Sequence, residues 1–504
     1  MKELVIAIDQ STSATKSFLF NAKGEILRSA SIPHQQYYPK ESWVEHDAEE
    51  IYANTVAAIA KVIDPEERDA KYSIAITNQR ETVVVWNKNT GKPVYNAVVW
   101  QCMRGREICD GLKKAGYEAL VQERSGLLID PYFSASGVKW ILDNVNGARA
   151  AADRGELLMG NIDSWLVWKL TKGAVHATDY TNASRTLLFN IHTLDWDDDL
   201  LAMFTVPRSM MPRPLPCDSH FGETTVEGLF GAPVEIAGVL GDSHGALAGQ
   251  MCFSEGLGKA TYGTGSSVMV NIGTEAHKAP EGLVTSVGFA ALGKVFYAFE
   301  GNIHCTGATI TWLKDELNLV GSPKEAEELA NSVKDNGGVY LVPAFSGLGA
   351  PWWHSDVRAM ICGLTLGTGK AYVCRAAIES IAYQVTDLVS AMTSQAHIDL
   401  KEIRVDGGPT KNEFLMKFQA DLLGVPVVRS EATDASAFGA FVMASGTGNP
   451  AVNYALSNAS PLIAMIWGVF VWKEFKKAPK GTNKIVAAMF IFFLAALIII
   501  TASN

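Results

Sequence analysis

Cysteine motifs and an excess of basic residues are both absent from this sequence. Its seven cysteines form no CxxC pair, and the two closest, Cys102 and Cys109, have a spacing that fits no zinc pattern. An odd number of unpatterned thiols is typical of a reducing compartment. The net charge of −10 provides no basic face for a phosphate backbone, which argues against nucleic acid as a partner. These absences favour an enzyme of the cytoplasm.

A secretory signal is also lacking. The first ten residues, MKELVIAIDQ, pass directly into an apolar strand that ends in an acid, so we expect no signal peptide. The length of 504 residues exceeds what one core supports and predicts two or three domains. A hydrophobic fraction of 48% and a charged fraction of 19% are ordinary for a globular enzyme.

The N-terminal segment has the pattern of a strand, a hydroxyl-rich turn and a returning strand. Residues 4–8 are apolar and precede Asp9, residues 11–16 read STSATK, and residues 17–20 are again strand-like. Backbone N–H groups and small hydroxyls in such a turn can hold phosphate oxygens, and Lys16 can offset their charge. Asp9 can hold Mg²⁺ through water. The alternative is an ordinary hairpin without a ligand.

A similar pattern recurs later in the chain. Residues 234–240 form an apolar strand that leads to Asp242, and residues 259–271 predict a hairpin that carries Gly-Thr-Gly at 263–265. A repeated strand–turn–strand unit predicts two similar α/β halves that face a cleft. We place the boundary between the halves near Met251.

A third turn follows the strand predicted at residues 402–405. Residues 406–412 read DGGPTKN, and their two glycines permit close approach of the backbone to a flat ligand such as adenine at the start of a helix. The alternative is a simple strand–helix connection. The three turns together, in this order, favour a site for phosphoryl transfer, which needs positioning and charge neutralisation more than covalent chemistry.

Capping residues predict two helix ends. Asp47 and Glu50 have the spacing of a capping box ahead of a helix with one apolar face. Gly424 is the expected C-terminal stop of the helix that follows Asn412.

The C-terminal tail has a different character. Residues 455–472 are nearly all apolar, and residues 485–501 are apolar without a single charge. Each stretch has about the minimum length for crossing a hydrocarbon core, so we predict a transmembrane helical hairpin. Two buried core helices are the alternative. The lysines between the two stretches are Lys473, Lys476, Lys477, Lys480 and Lys484.

Four stretches carry a resemblance to a known family. They read ITNQRET at 76–82, NKNTGKPVY at 87–95, TDYTNASRTLLFNIHTLDW at 178–196 and VPAFSGLGAP at 342–351. Over residues 1–445 the chain resembles the glycerol kinases, a group of the FGGY sugar kinases. The resemblance implies two actin-like ATPase (ribonuclease H-like) α/β domains around a cleft, which transfer a phosphoryl group from ATP, with Mg²⁺, to glycerol.

The resemblance also implies a role for individual residues. Asp242 is the implied general base, which accepts the proton of the hydroxyl that attacks the γ-phosphate. The implied contacts to the polyol are Arg80, Glu81, Trp100, Tyr132, Asp242 and Ser243. The implied contacts to the nucleotide are Thr12, Ser13, Lys16, Thr264, Gly307, Thr311, Gly408 and Asn412.

Four positions depart from the family pattern. Lys16 stands where the family usually has Arg, which keeps the charge but loses the bidentate fork. Ser243 replaces a usual Gln, Ser267 replaces an aromatic residue that packs on glycerol, and Gly137 replaces a usual Lys. Since two of the four line the implied substrate site, another small polyol or sugar remains an alternative acceptor.

The tail resembles a different kind of protein. Residues 453–475 look like the end of a drug/metabolite-type sugar transporter. Lysines between two spans favour the cytoplasmic side, which would leave the kinase outside, away from ATP. We therefore interpret the chain as a fusion of two gene fragments, with membrane association through residues 455–501. Two rivals are a transporter remnant that carries an inactive kinase domain and a non-catalytic polyol sensor.

The resulting expectation divides the chain into three parts. An N-terminal kinase domain at residues 1–250 is expected to hold the polyol and the phosphate loop. A truncated C-terminal kinase domain at residues 251–446 is expected to bind the nucleotide, and residues 447–504 form the membrane tail. The sequence leaves the oligomeric state open, a homo-oligomer included.

Overall fold

Two six-stranded sheets organise the chain. The structure is a computed structural model, and it describes residues 3–64, 70–354, 356–394, 398–430 and 432–445. Residues 1–444 form one compact unit. The strands are β1 (Glu3–Gln10), β2 (Ala14–Asn21), β3 (Ile26–Pro33), β4 (Glu45–His46), β5 (Lys71–Asn78), β6 (Val83–Asn87), β7 (Lys92–Pro93), β8 (Ala97–Val98), β9 (Leu157–Asn161), β10 (Ala177–Asp179), β11 (Phe189–Asn190), β12 (Asp195–Trp196), β13 (Arg213–Leu215), β14 (Glu223–Thr224), β15 (Val234–Gly241), β16 (Leu257–Tyr262), β17 (Ser266–Asn271), β18 (Val284–Ala291), β19 (Lys294–Ile303), β20 (Tyr340–Val342), β21 (Met360–Cys362), β22 (Glu402–Asp406) and β23 (Val427–Arg429).

Helices cover the sheets and connect them. They are α1 (Ala48–Val62), α2 (Arg106–Lys114), α3 (Glu118–Ser125), α4 (Ser134–Asn144), α5 (Ala148–Asp153), α6 (Ile162–Leu170), α7 (Tyr180–Ala183), α8 (Asp198–Met203), α9 (Asp242–Gly249), α10 (Gly307–Asp315), α11 (Pro323–Asn331), α12 (Lys370–Ser394), α13 (Glu413–Leu423) and α14 (Ala435–Ala444), with 3₁₀ turns at Arg208–Met210 and Gly408–Lys411.

The first sheet has the strand order β14-β15-β5-β1-β2-β3. Its three central strands, β15, β5 and β1, run parallel, and β2 returns antiparallel to β1. The apolar run from Leu4 to Ile8 is buried along its whole length, as expected of a parallel strand covered on both faces. The predicted strand–turn–strand is therefore confirmed. The carboxyl ends of β1, β5 and β15 meet at one edge of the sheet.

The second sheet repeats the plan, with the order β18-β19-β17-β16-β22-β23. Strands β16 and β17 form the predicted antiparallel hairpin, and β16, β22 and β23 run parallel. The sequence pattern had placed residues 234–240 in the repeat. That assignment is wrong, because β15 completes the first sheet beside β5, and the repeat begins at β16.

The helix-capping predictions are partly confirmed. Asp47 caps α1 and accepts hydrogen bonds from the backbone N–H groups of Glu49 and Glu50. The reciprocal half of the capping box is absent among the described residues, because the Glu50 carboxylate accepts from the Gln35 backbone N–H instead. Gly424 ends α13 in the left-handed conformation with φ of 68°, as predicted.

Helices α9 and α14 cross at very close range. A Cβ on Gly249 would lie 1.9 Å from the carbonyl oxygen of Ala435, and a Cβ on Gly439 would lie 2.0 Å from that of Gly245. Helix α14 also packs on β1, β5 and β15, although it lies late in the chain. Glycine at these positions lets the two helix backbones touch beside the edge of the first sheet.

We expect Gly439→Ala to lower the free energy of unfolding by about 1–3 kcal/mol, because the added methyl group forces the two helices apart. Urea unfolding measures the change. Gly111→Ala is the matched control, since a Cβ on this α2 glycine would meet nothing within 4 Å. That control should be neutral or stabilising by up to about 1 kcal/mol. Equal losses in both variants would contradict the crossing.

The described residues contain no helix that is both long enough and apolar enough to cross a membrane. The hairpin predicted within residues 455–501 lies outside the described residues.

Candidate active site

Asp242 opens α9 at the end of β15, where the carboxyl ends of the parallel strands converge. Its Oδ1 lies 3.2 Å from Arg80 Nε and accepts the backbone N–H of Ser243 at 2.6 Å. The side chain is 35% exposed, so part of the carboxylate is accessible to a ligand. Ser436 of α14 donates its hydroxyl to the Asp242 carbonyl at 2.9 Å. An acceptor carboxylate is thus fixed in direction yet open to a ligand.

A buried network of ion pairs holds Arg80. Its guanidinium makes a two-point contact with Glu300 of β19, at 2.8 and 2.7 Å. Glu300 also lies 2.9 Å from Arg185, which contacts Glu81 at 2.5 Å. The side chains of all four residues are no more than 4% exposed. Because β19 belongs to the second sheet and Arg80 follows β5 of the first, the network joins the two halves.

Burial and the neighbouring charges shift the pKa values of the titratable groups in and beside this network. Burial alone would raise the pKa of Glu300, but the guanidinium groups of Arg185 and Arg80 hold it well below its usual value. Burial raises the pKa of Glu81, against the pull of both arginines. Burial and the nearby Arg80 lower the pKa of His244 well below its usual value, so this imidazole stays neutral. Arg80 is therefore a permanently charged, rigidly placed donor.

Two aromatic rings form an apolar wall near Arg80. Trp100 and Tyr132 meet edge to face, with ring centroids 5.4 Å apart. Trp100 Nε1 donates to the hydroxyl of Thr12 at 3.0 Å, which ties the wall to the turn after β1. Burial raises the pKa of Tyr132, and the Glu81 carboxylate adds to that effect. The sequence predicted that Arg80, Glu81, Trp100 and Tyr132 share a site, and the structure brings them together.

Asp9 and Lys16 face each other across the turn between β1 and β2. Lys16 Nζ lies 2.9 Å from Asp9 and 3.1 Å from Asp434, which precedes α14. Burial raises the pKa of Asp9 to about 7, Asp434 and Asp242 add to this, and Lys16 opposes it. Burial opposes the charge of Lys16, but Asp9 and Asp434 raise its pKa overall. Two carboxylates thus already hold one cation here.

This arrangement fits Mg²⁺ bound through its nucleotide. Mg²⁺ in phosphoryl-transfer sites usually takes one or two carboxylates, and phosphates and water fill its other positions. The described part of the chain contains no cluster of three or more acidic, histidine or cysteine side chains able to hold a metal alone. Asp9 is buried and contacts Lys16 at the turn between β1 and β2, so it is the residue that would hold the ion.

Binding of Mg²⁺-ATP should weaken about tenfold between about pH 8 and about pH 6, because a carboxyl group with a pKa of about 7 becomes protonated in that range. Protonation removes the negative charge that attracts the cation, so affinity falls as pH falls. Titration calorimetry at several pH values measures it. Titration of the nucleotide itself affects the wild type and Asp9→Asn equally, but the variant lacks the Asp9 carboxyl. The affinity of the variant for Mg²⁺-ATP should therefore depend less on pH. Parallel profiles for both proteins would contradict the assignment.

The remaining turns come together at the second sheet. Gly307 begins α10, and its backbone N–H donates to the Gly263 carbonyl at 3.0 Å in the turn that carries Thr264. Gly407 has φ of 96°, and a Cβ there would lie 1.9 Å from the Tyr262 carbonyl oxygen. The close contact at Gly407 is with the protein's own backbone, so the predicted approach of this glycine pair to a flat ligand stays a prediction.

The other predicted nucleotide positions border the same turns. Space around Gly408 is open, since a Cβ there would meet nothing within 4 Å. Asn412 caps α13 and accepts the Leu415 N–H at 2.8 Å, which gives its side chain a structural role as well. Thr311 is exposed on α10, and Ser13 is exposed in the first turn.

Comparison with known proteins identifies the family to which this chain belongs. The N-terminal domain of the FGGY family of carbohydrate kinases matches residues 4–249, and the C-terminal domain of that family matches residues 258–446. This chain belongs to the FGGY family of carbohydrate kinases. Among characterised relatives, glycerol kinase 1 of Thermotoga maritima is 52% identical over 444 residues, which cover 87% of this chain and 89% of the relative.

Two further glycerol kinases are similar to this chain. A glycerol kinase of Bacillus anthracis is 51% identical over 448 residues, which cover 88% of this chain and 90% of that protein. The crystal structure of Plasmodium falciparum glycerol kinase with ADP superimposes with a TM-score of 0.84 at 36% identity, and covers 88% of this chain and 89% of that one.

Several residues of the ion-pair network and of the Lys16 contacts in this FGGY kinase were not predicted from the sequence. Arg185 lies inside the stretch at 178–196 but has no role implied by the resemblance, and nothing around Glu300 or Asp434 distinguishes them in the sequence. Each acquires its importance from a partner far along the chain, such as Glu300 from Arg80, 220 residues away. A single arginine at 185 in a run of small polar residues was the one available signal.

Proposed function

We propose that this FGGY kinase transfers the γ-phosphoryl group of ATP, with Mg²⁺, to a primary hydroxyl of glycerol, which yields glycerol 3-phosphate and ADP. The observation that carries the proposal is the position of Asp242. An open carboxylate, oriented by Arg80 at 3.2 Å and by a backbone N–H at 2.6 Å, stands where the strand ends of the first sheet meet the cleft. The relatives named glycerol kinase are 51–52% identical over nearly the whole kinase part.

In the proposed reaction Asp242 accepts the proton of the attacking hydroxyl. A carboxylate within hydrogen-bond reach of that hydroxyl raises its nucleophilicity as the oxygen–phosphorus bond forms. Arg80 and Glu81 offer a donor and an acceptor to the other glycerol hydroxyls, since both are rigidly held by Arg185 and Glu300. Trp100 and Tyr132 cover the carbon chain.

The nucleotide side of the proposed site comprises three turns. Thr12, Ser13 and Lys16 in the first turn and Thr264 in the second contact the phosphates, while Gly307, Thr311, Gly408 and Asn412 line the remainder of the nucleotide site. When bound, Mg²⁺ at Asp9 neutralises phosphate charge. Lys16 contacts both Asp9 and Asp434, and its ammonium stabilises the negative charge that develops on the phosphates during transfer.

Exclusion of water completes the proposed mechanism. Water competes with glycerol as the phosphoryl acceptor, and closure of two halves over the substrates removes it. The Arg80–Glu300 pair joins the two sheets on the acceptor side, and both of its side chains are buried. In this proposal the reaction takes place in the cytoplasm, where ATP is available.

Phosphorus NMR of one reaction mixture tests the proposed product. With the full chain, Mg²⁺-ATP and glycerol, ADP and glycerol 3-phosphate should accumulate in equal amounts. Accumulation of inorganic phosphate in place of glycerol 3-phosphate would show an ATPase and would refute the proposal. If neither ADP nor glycerol 3-phosphate accumulates, the result would favour the rival hypothesis of an inactive kinase domain joined to a transporter remnant.

A second candidate function is phosphorylation of another small polyol. The observation that favours it is Ser267, a half-buried hydroxyl on β17, where the family pattern has an aromatic residue. An acceptor panel distinguishes the two candidates, because glycerol should give the highest kcat/KM if the first is right.

A further inference from the structure

Lys259 on β16 is a fully buried lysine that has no part in the proposed reaction. Among the described residues, its Nζ contacts only hydroxyl and carbonyl oxygens within 3.5 Å: Ser267 Oγ at 3.1 Å, the Ser267 carbonyl at 3.4 Å and Thr261 Oγ1 at 3.4 Å. Burial lowers the pKa of Lys259, and the carboxylates of Asp406 and Glu300 counter that effect. A buried ammonium without a carboxylate in direct contact is costly, so its position calls for a reason.

Strand register places Lys259 and Ser267 beside the acceptor site. Lys259 pairs with Met269, which pairs with Glu300, the partner of Arg80. One step along the same face, Thr261 pairs with Ser267, which pairs with Asn302. Directly paired residues share a face of the sheet, and every second residue of a strand returns to that face. Ser267 and its paired residues Thr261 and Asn302 therefore lie on the same face as Lys259, Met269 and Glu300, about 7 Å further along the strands. This is the face that meets Arg80.

The contact with Lys259 orients the Ser267 hydroxyl. An ammonium has three donors and no acceptor, so it donates to the lone pair of Ser267 Oγ. The hydroxyl hydrogen must then point away from Lys259. Ser267 is half-buried rather than enclosed, and it pairs with the half-buried Asn302 on the same face of the sheet as Glu300. Ser267 thus presents a donor toward the acceptor site.

We infer that Ser267, oriented by Lys259, is a hydrogen-bonding position for one additional hydroxyl of the acceptor, and that the site takes four-carbon polyols such as erythritol as well as glycerol. The inference rests on the proposed function and extends it. Asp242, Arg80 and Glu81 offer polar partners for three hydroxyls. Ser267 and Asn302 supply a further polar position at the same face, where a fourth hydroxyl would otherwise lose its hydration without replacement.

The test compares kcat/KM for erythritol and for glycerol in the full chain and in Ser267→Ala. Loss of one hydrogen bond should lower the erythritol value about three- to tenfold more than the glycerol value. Ser266→Ala is the matched control. Its hydroxyl bonds Thr306 at 2.8 Å on the opposite face of the same strand, so it should leave the ratio of the two values unchanged.

A double-mutant cycle tests the role of Lys259. Lys259→Met should shift the acceptor ratio in the same direction as Ser267→Ala but by no more, because the hydroxyl remains and only its orientation is lost. The double variant should shift the ratio no further than Ser267→Ala alone, because Lys259 acts only through that hydroxyl. Additive shifts would overturn the positioning role. Calorimetric binding of erythritol without nucleotide gives a second readout, and it should weaken in both single variants.

The outcomes separate the inference from the proposed function. Glycerol turnover without erythritol turnover or binding would overturn the inference alone. Equal losses for both acceptors in Ser267→Ala would also overturn it, since Ser267 would then serve glycerol itself or the fold. Turnover of neither acceptor would overturn the proposed function together with the inference.

Discussion

Asp242→Asn should lower kcat with glycerol by about 10²- to 10⁴-fold, which is the usual contribution of a general base. The amide keeps the size of the carboxylate and can still accept the Ser243 N–H at Oδ1, so the geometry at the start of α9 should survive. It cannot accept the proton of the attacking hydroxyl at neutral pH. The KM for glycerol should change far less than kcat, because binding of the polyol is shared with Arg80 and Glu81.

A surface aspartate provides the control for this variant. Asp143 pairs with Lys139 and Arg149 and is 39% exposed, so Asp143→Asn removes a carboxylate without touching the cleft. That variant should keep kcat and KM within about twofold, since exposed ion pairs contribute little. Retention of kcat within about tenfold of the wild type in Asp242→Asn would show that another group takes the proton.

Glu300→Gln should lower the free energy of unfolding by about 3–5 kcal/mol, because it leaves two buried guanidinium groups without their shared counter-ion. Arg80 and Arg185 both lie within 3 Å of the Glu300 carboxylate, and both are almost fully buried. The glutamine fits the same space but carries no charge. Denaturant unfolding measures the loss, and the KM for glycerol should rise because Arg80 is no longer held in place.

An exposed pair of the same chemistry is the control for Glu300. Arg208 and Asp195 are 2.6 Å apart, with side chains 47% and 53% exposed. Asp195→Asn should cost less than about 1 kcal/mol, because water screens the pair. A loss of that small size in Glu300→Gln would mean that water reaches the network and that it does not join the two halves.

The local parts of the fold could be predicted from the sequence. The apolar run before Asp9, the hairpin at residues 259–271 and the stop at Gly424 each depend on neighbours within a few residues, and all three are confirmed. Recognition of the family motifs then grouped Arg80 and Asp242 in one site. Membership in the FGGY family and a fold of two similar α/β halves therefore follow from residue patterns and motifs.

The distant pairings could not be predicted in this way. Lys16 meets Asp434 from 418 positions away, and Arg80 meets Glu300 from 220 positions away. Helix α14 packs on the first sheet although it lies in the part matched by the C-terminal family domain. Such contacts depend on how whole elements are placed in space, and a single sequence carries no periodic signal for them.

The tail is one part of the sequence prediction that stays untested, beside the domain bounds and the roles of the site residues. The prediction of a transmembrane hairpin within residues 455–501, and of a fusion, rests on hydropathy and on a short resemblance, and it lies outside the described residues. Membrane fractionation of the full chain, beside a variant ending at Ser445, is the experiment that applies to it. The kinase chemistry argued above depends only on residues before that point.

The most direct test of the central claim is the release of ADP by the full chain with Mg²⁺-ATP before and after glycerol is added. If Asp242 activates an acceptor hydroxyl in a dry cleft, ADP release should rise at least about a hundredfold on addition of glycerol. Release at the same rate with and without an acceptor would mean that water is the acceptor, and would contradict the account.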